Sequence, residues 1–141
     1  MEILIENENK LKDAAVSLLK FAENEKIFLF QGEMGAGKTT LIKSLCLQLG
    51  MLENVSSPTY SLVNEYIFPE GKIFHFDFFR IKNESEAFDL GFEEYLTSGD
   101  YCFIEWPEMI PNLWPDNFLE IKITETEGGM RKIFAQKHSK S

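Results

Sequence analysis

The sequence predicts a three-layer α/β fold with a mostly parallel central sheet and antiparallel hairpin additions. Three observations support this prediction. Apolar, strand-like runs alternate with segments of helical periodicity, which is the pattern of an α/β sheet. One run, residues 27–30, is continuously apolar, as expected of a central parallel strand. Two pairs of β-rich segments flank glycine-containing turns, which is typical of hairpins.

The first half of the chain contains an edge strand, two helices and the buried strand between them. Residues 1–6 alternate enough for a short edge strand. Apolar side chains from Leu11 to Ala22 recur at the spacing of one helix face, which predicts an amphipathic helix. The same spacing from Leu41 to Leu49 predicts a second helix, which Gly50 ends.

The second half contains two predicted hairpins, a helical segment and a further apolar strand. The predicted segments are a hairpin of residues 60–68 and 72–79, helix-forming residues 83–97, an apolar strand at residues 101–106, and a second hairpin of residues 118–126 and 130–136.

Length and composition favour one folded domain. The chain has 141 residues, of which 44% are hydrophobic, so we expect a single domain over residues 1–141, with a basic C-terminal strand and tail at residues 130–141. No apolar run approaches the roughly 20 residues that span a membrane, and the N-terminus lacks signal-peptide features. Cys46 and Cys102 fall in apolar patterns and are expected to be buried free thiols. These features favour a cytoplasmic protein.

Charge is unevenly distributed. The net charge is −9, yet residues 130–141 contain four basic side chains and no acid. The rest of the chain is therefore strongly acidic and should not bind nucleic acid directly. We expect the basic end to be a frayed, solubilising terminus.

The segment from Gly32 to Thr39 matches the GxxxxGK[ST] pattern of a phosphate-binding loop, or P-loop. Glycines allow the backbone to curl and to direct its N–H groups at phosphate oxygens. Lys38 supplies positive charge for the β and γ phosphates, and the Thr39 hydroxyl is a candidate Mg²⁺ ligand. A strand before the loop and a helix after it complete the expected context. The sequence therefore predicts a P-loop nucleotide triphosphatase.

Two acidic residues end apolar strands and are candidate partners of this loop. Asp77 ends the run that begins at Ile73, and Glu105 ends the run that begins at Tyr101. P-loop enzymes hold Mg²⁺ with the loop hydroxyl and an acid at the end of a neighbouring strand. Spacing alone does not rank the two acids, and either could instead pair with a cation or cap a turn.

Three further features have both a functional and a structural interpretation. The polar residues 56–61 occupy the place of a γ-phosphate-sensing switch, or form an ordinary turn. His75 is either an orienting partner of a catalytic group or a hydrogen-bonded strand residue. Trp106 is either a core residue or packs on a nucleotide or partner.

Four segments, taken together, resemble the TsaE (YjeE) family of bacterial ATPases in tRNA threonylcarbamoyladenosine biosynthesis. The segments are the P-loop at residues 32–40, Ser-Pro-Thr-Tyr with the residues after it at 57–66, His-Phe-Asp-Phe-Phe-Arg at 75–80, and Glu-Trp-Pro-Glu at 105–108. The resemblance covers nearly the whole chain. This chain has Phe79 where the family usually has tyrosine, so any hydrogen bond of that hydroxyl is absent.

The resemblance implies slow hydrolysis of ATP with Mg²⁺, which resets a complex of the partner proteins TsaD and TsaB between turnovers. It places Lys38 at the phosphates and both Thr39 and Glu105 at the metal. Asp77 would position the attacking water or would hydrogen-bond to the groups that hold the metal. The catalytic set is then Lys38, Asp77 and Glu105. The expected nucleotide-binding residues are Gly32, Glu33, Met34, Gly35, Ala36, Gly37, Lys38, Thr39, Thr40, Thr59 and Trp106.

Rival functions differ in the features that they require. A P-loop GTPase needs a guanine-selecting Asn-Lys-x-Asp run, which this sequence lacks. A small-molecule kinase needs an arginine-bearing lid, and the chain has only Arg80 and Arg131. A nucleotide-gated binding module without relevant turnover stays open as an alternative.

Overall fold

The computed structural model describes residues 1–55 and 62–140, and within them eight strands form one sheet. The strands are β1 Glu2–Ile5, β2 Ile27–Gln31, β3 Glu53–Asn54, β4 Val63–Phe68, β5 Gly71–Asp77, β6 Tyr101–Glu105, β7 Phe118–Glu125 and β8 Arg131–His138. The α-helices are α1 Leu11–Ala22, α2 Lys38–Leu49, α3 Glu84–Leu90 and α4 Phe92–Leu96.

The sheet has a parallel centre and antiparallel edges. Its strand order is β1-β8-β7-β2-β6-β5-β4-β3. Strand β2 pairs in parallel with both β6 and β7, and β6 pairs in parallel with β5. The four remaining pairings are antiparallel. This confirms the predicted fold class. Because the central strands are parallel, their carboxyl ends meet at one edge of the sheet.

Helices cover both faces of the sheet, which gives three layers. Phe28 and Phe30 of β2 pack in a core with α1 and α2, whereas Leu29 packs in a second core with α3 and α4. The period of two along a strand separates these side chains. Each face of β2 is therefore covered, which explains why its sequence shows no polar alternation.

Most predicted elements are confirmed. Helix α1 has the predicted bounds, and α2 begins at Lys38 and ends at Leu49, just before Gly50, whose φ is 90°. Both hairpins form, although the first starts at Val63 and residues 60–61 lie outside the described part of the chain. Cys46 and Cys102 are buried free thiols. In the described part of the chain, no helix has both the length and the apolar character that crossing a membrane requires.

One expectation needs correction, and two features were not predicted. The basic C-terminus is not frayed over residues 131–138, because β8 is hydrogen-bonded between β1 and β7. Burial of Ile133 and Ala135 fixes this strand in the sheet. The short strand β3 and the division of the helical segment at Gly91, with φ 87°, were not predicted.

Candidate functional site

The P-loop lies between the end of β2 and the start of α2, as the sequence predicts. Gly35 and Gly37 have φ values of 85° and 105°, a conformation that side chains with a Cβ rarely adopt. The Ala36 amide donates to the Glu33 carbonyl at 3.0 Å, which closes the turn. Helix α2 then begins at Lys38, so its N-terminal amides and positive dipole end face the concave side of the loop.

Lys38 is held inside this loop. Its side chain is buried, and Nζ donates to the Gly32 carbonyl at 2.6 Å. Nζ also lies 3.4 Å from the centroid of the Trp106 ring, a cation–π contact. Burial lowers the pKa of Lys38, and nearby carboxylates, foremost Glu105, oppose that shift. The ammonium is thus partnered by a carbonyl and a ring face, which leaves its charge available to an anionic ligand.

Glu105 lies beside the loop at the end of β6 and is only 3% exposed. The Thr39 hydroxyl donates to Glu105 Oε1 at 2.8 Å. Glu105 Oε2 lies 2.6 Å from Nε2 of His75. Both carboxylate oxygens of Glu105 therefore have a partner. One of these partners is Thr39, which the sequence analysis expects to bind Mg²⁺ together with Glu105.

The Thr39 hydroxyl and the Glu105 carboxylate offer oxygen ligands of the kind that magnesium takes. Their oxygens lie 2.8 Å apart, joined by a hydrogen bond. Among the described residues no group of three or more His, Cys, Asp or Glu side chains could hold a metal. Magnesium commonly binds through one or two protein oxygens together with phosphates and waters, so this pair is a sufficient protein contribution.

His75 is the buried hydrogen-bonding partner of Glu105. It lies on β5 opposite Phe103 of β6 and is 6% exposed. Its ring stacks near Tyr66, with centroids 6.5 Å apart. The ring is therefore held in place while Nε2 meets Glu105, and it fixes the orientation of that carboxylate.

Asp77 is directly across the sheet from Glu105 but has a different environment. The two residues are register partners at the carboxyl ends of β5 and β6. Asp77 is exposed, and its Oδ1 accepts a hydrogen bond from the Phe79 amide at 3.0 Å. The two acids thus differ in their contacts: Glu105 accepts a hydrogen bond from the loop hydroxyl, whereas Asp77 is exposed at the same edge.

Trp106 and Phe79 form an aromatic wall beside the loop. Trp106 has φ 61°, which is uncommon for a residue other than glycine and is found at functional sites. This conformation ends β6 and places the ring over Lys38. Its centroid lies 5.0 Å from that of Phe79, which is 41% exposed.

These groups line one cleft of about 310 Å³. The cleft is bordered by Met34, Gly35, Gly37, Lys38, Thr39, Thr40, Asp77, Phe79, Glu105, Trp106 and Arg131. The structure therefore brings together most of the predicted site residues. Gly32, Glu33 and Ala36 lie instead on a neighbouring cavity of about 410 Å³, which contains none of the predicted catalytic residues. Thr59 lies outside the described residues.

Phe79 and Arg131 border the cleft but were not among the predicted site residues, and Arg131 was assigned to the basic terminus. The position of Arg131 depends on the parallel pairing of β7 with β2, which puts the turn of the β7–β8 hairpin at the carboxyl edge of the sheet. Arg131 is the first residue after that turn and is part of the cleft wall.

Comparisons with known proteins agree with this architecture. The family model for the threonylcarbamoyl adenosine biosynthesis protein TsaE matches residues 5–133. The tRNA threonylcarbamoyladenosine biosynthesis protein TsaE of Bacillus subtilis is 33% identical over 90% of this chain and 79% of its own length. The protein of the same name from Rickettsia prowazekii is 38% identical over 79% of each chain. A crystal structure of Bacillus subtilis YdiB aligns with a TM-score of 0.76 and 25% identity, covering 99% of this chain and 86% of its own.

Proposed function

This chain belongs to the TsaE family and takes part in tRNA threonylcarbamoyladenosine biosynthesis, and we propose that it does so by binding and hydrolysing MgATP. The observation that carries the proposal is the contact between the Thr39 hydroxyl and the Glu105 carboxylate at the mouth of the P-loop. A loop hydroxyl beside a strand-end acid is the magnesium arrangement of P-loop nucleotide triphosphatases.

Different residues of the cleft bind different parts of the nucleotide. Backbone N–H groups of the loop and the N-terminus of α2 bind phosphate oxygens, and Lys38 adds positive charge. Thr39 and Glu105 would hold a magnesium ion, which would supply positive charge at the transferred phosphoryl group. Lys38 Nζ donates one hydrogen bond to the Gly32 carbonyl, and the ammonium has two further N–H donors for phosphate oxygens.

Asp77 and His75 do not bind the phosphates; Asp77 acts on a water molecule and His75 acts on Glu105. The exposed Asp77 carboxylate is suited to orient a water molecule, because its position across from Glu105 faces the open side of the cleft. His75 is not among the residues that border the cleft, and it acts through its hydrogen bond to Glu105. Loss of either residue should therefore affect turnover more than nucleotide binding.

Calorimetric titration with MgATP tests the proposal. Lys38→Ala should lose binding by at least about a hundredfold, because a charge-assisted phosphate contact is removed, while the folded state is retained. Lys43→Ala is the matched control, since Lys43 is exposed on the same helix. Wild-type affinity in the Lys38 variant, or no MgATP binding by the wild-type chain, would refute the proposal.

We also propose the partners that the family resemblance implies, TsaD and TsaB, in the cytoplasm. The acidic body supports a role through proteins, because it offers few cations to a tRNA backbone. The role of Thr59 in a nucleotide-sensing segment stays a prediction. Thr59→Ala should weaken ATP-dependent association with TsaD and TsaB more than it weakens ATP binding. Association that is equal with ATP and ADP would contradict this switch.

A further inference from the structure

Arg131 is presented to the P-loop from a rigid part of the sheet. It is the first residue of β8, opposite Ile5 of β1 on one side and Glu125 of β7 on the other. The turn before it is closed by Thr126, whose amide and hydroxyl donate to the Met130 carbonyl at 2.7 and 3.1 Å. The backbone at this residue is therefore fixed on both sides and from the turn.

The side chain of Arg131 lies against the backbone of Gly37. A Cβ built at residue 37 would be 3.2 Å from Arg131 Nε and 3.3 Å from its Cδ and Cζ. The guanidinium thus covers the last loop residue before α2, where any larger residue would push it away. Arg131 borders the same cleft as Lys38 and Thr39.

The guanidinium has unused hydrogen-bonding capacity at this position. Arg131 Nε is buried and has no hydrogen-bond partner among the described residues. Within the same part of the chain, no carboxylate forms an ion pair with it. Buried polar groups of proteins are normally hydrogen-bonded, so the unpaired Nε–H of Arg131 indicates that a partner is missing. A guanidinium fork matches the oxygens of a phosphate group better than an ammonium does.

We propose that Arg131 is a second cationic ligand for the phosphates of the bound nucleotide, acting with Lys38 in the same cleft. This inference rests on the proposed function and deepens it. It also gives the β7–β8 hairpin a role: the hairpin carries a phosphate-binding side chain to the carboxyl edge of the sheet. Because Gly37 has no Cβ, it can adopt the positive φ of the loop and also lets the guanidinium approach closely.

The test is MgATP binding by calorimetry at several salt concentrations, with the full-length chain. Arg131→Met and Arg131→Gln remove the charge and keep much of the aliphatic stem, and both should bind at least about tenfold more weakly. Their binding should also be less sensitive to salt, because one charge interaction with phosphate is gone. Arg131→Lys keeps a cation and should retain the salt dependence with an intermediate affinity.

Lys132→Met is the matched control, since it removes the same charge one residue along β8, where the side chain pairs with Glu2 at 3.4 Å. It should bind MgATP like the wild type. Wild-type affinity in a folded neutral Arg131 variant would overturn this inference and leave the proposed function standing. A loss with unaltered salt dependence would overturn it too, because Arg131 would then act by packing. Absence of MgATP binding by the wild-type chain would instead refute the proposed function and this inference with it.

Discussion

Replacing Glu105 by glutamine removes one negative charge from the end of β6 without changing the size of the side chain. The carboxylate is 3% exposed and meets Thr39 at 2.8 Å and His75 at 2.6 Å. Glutamine can still accept from the Thr39 hydroxyl, but it places no anion beside the loop. The variant therefore separates the charge of Glu105 from its packing.

The expected effect follows from that environment. Removing one preorganised electrostatic element from an active site costs about 2.7–4 kcal/mol of transition-state stabilisation, which is about a hundredfold to a thousandfold in turnover. We expect the upper part of this range for Glu105→Gln, because burial strengthens the interaction of its charge with a cation. The Mg²⁺ concentration needed for half-maximal turnover should rise as well.

Asp77→Asn is the comparison that isolates the role of Glu105. Asp77 is the register partner of Glu105, but it is exposed and its Oδ1 bonds only to a backbone amide among the described residues. Its variant should also slow turnover, with MgATP affinity and Mg²⁺ dependence kept within about threefold, since solvent screens an exposed charge. Phosphate release and Mg²⁺ titrations measure both quantities. Near-normal hydrolysis by Glu105→Gln, together with a larger loss in Asp77→Asn, would refute our ranking of the two acids.

Three further predictions address the fold and the charge of the protein. Burial raises the pKa of the Cys46 and Cys102 thiols from 9.0 to about 12, so their contribution to stability is present below pH 9 and is lost as pH rises toward 12. The free energy of unfolding in urea should fall by roughly 3 kcal/mol more between pH 8 and 10 than in a Cys46→Ala, Cys102→Ala variant. Gly32→Ala should lower thermal stability by about 1–3 kcal/mol, because its Cβ would lie 2.6 Å from the Ile123 carbonyl oxygen; an unchanged melting temperature would show that the loop shifts freely. The isolated chain, with net charge −9, should not bind tRNA at physiological salt, and salt-sensitive binding in a filter assay would indicate a direct RNA-binding role.

Local chemistry explains what the sequence predicted well. The glycine pattern and the lysine–threonine pair of the P-loop follow from the geometry of phosphate binding, and they need no knowledge of distant residues. The parallel strands could be inferred from continuous apolar runs, and this placed Asp77 and Glu105 at one edge of the sheet. The loop, the two acids and the order of the elements were therefore predictable.

The features that the sequence left open depend on how distant strands pair. The ranking of the two acids depends on which carboxylate reaches Thr39, and only the pairing of β2 with β6 determines that. His75 meets Glu105 because β5 and β6 align in parallel. Arg131 was missed because four basic residues near a terminus resemble a solvated tail, whereas pairing with two strands fixes this residue beside Gly37.

The central claim is that this chain uses its P-loop to turn over MgATP in support of its partners. The most direct measurement is steady-state phosphate release by the purified chain, alone and mixed with TsaD and TsaB, with Lys38→Ala run in parallel. We expect slow phosphate release by the wild type alone, faster release in the mixture, and no release above background by Lys38→Ala. Release that Lys38→Ala leaves unchanged, or an absence of wild-type turnover in every mixture, would contradict it.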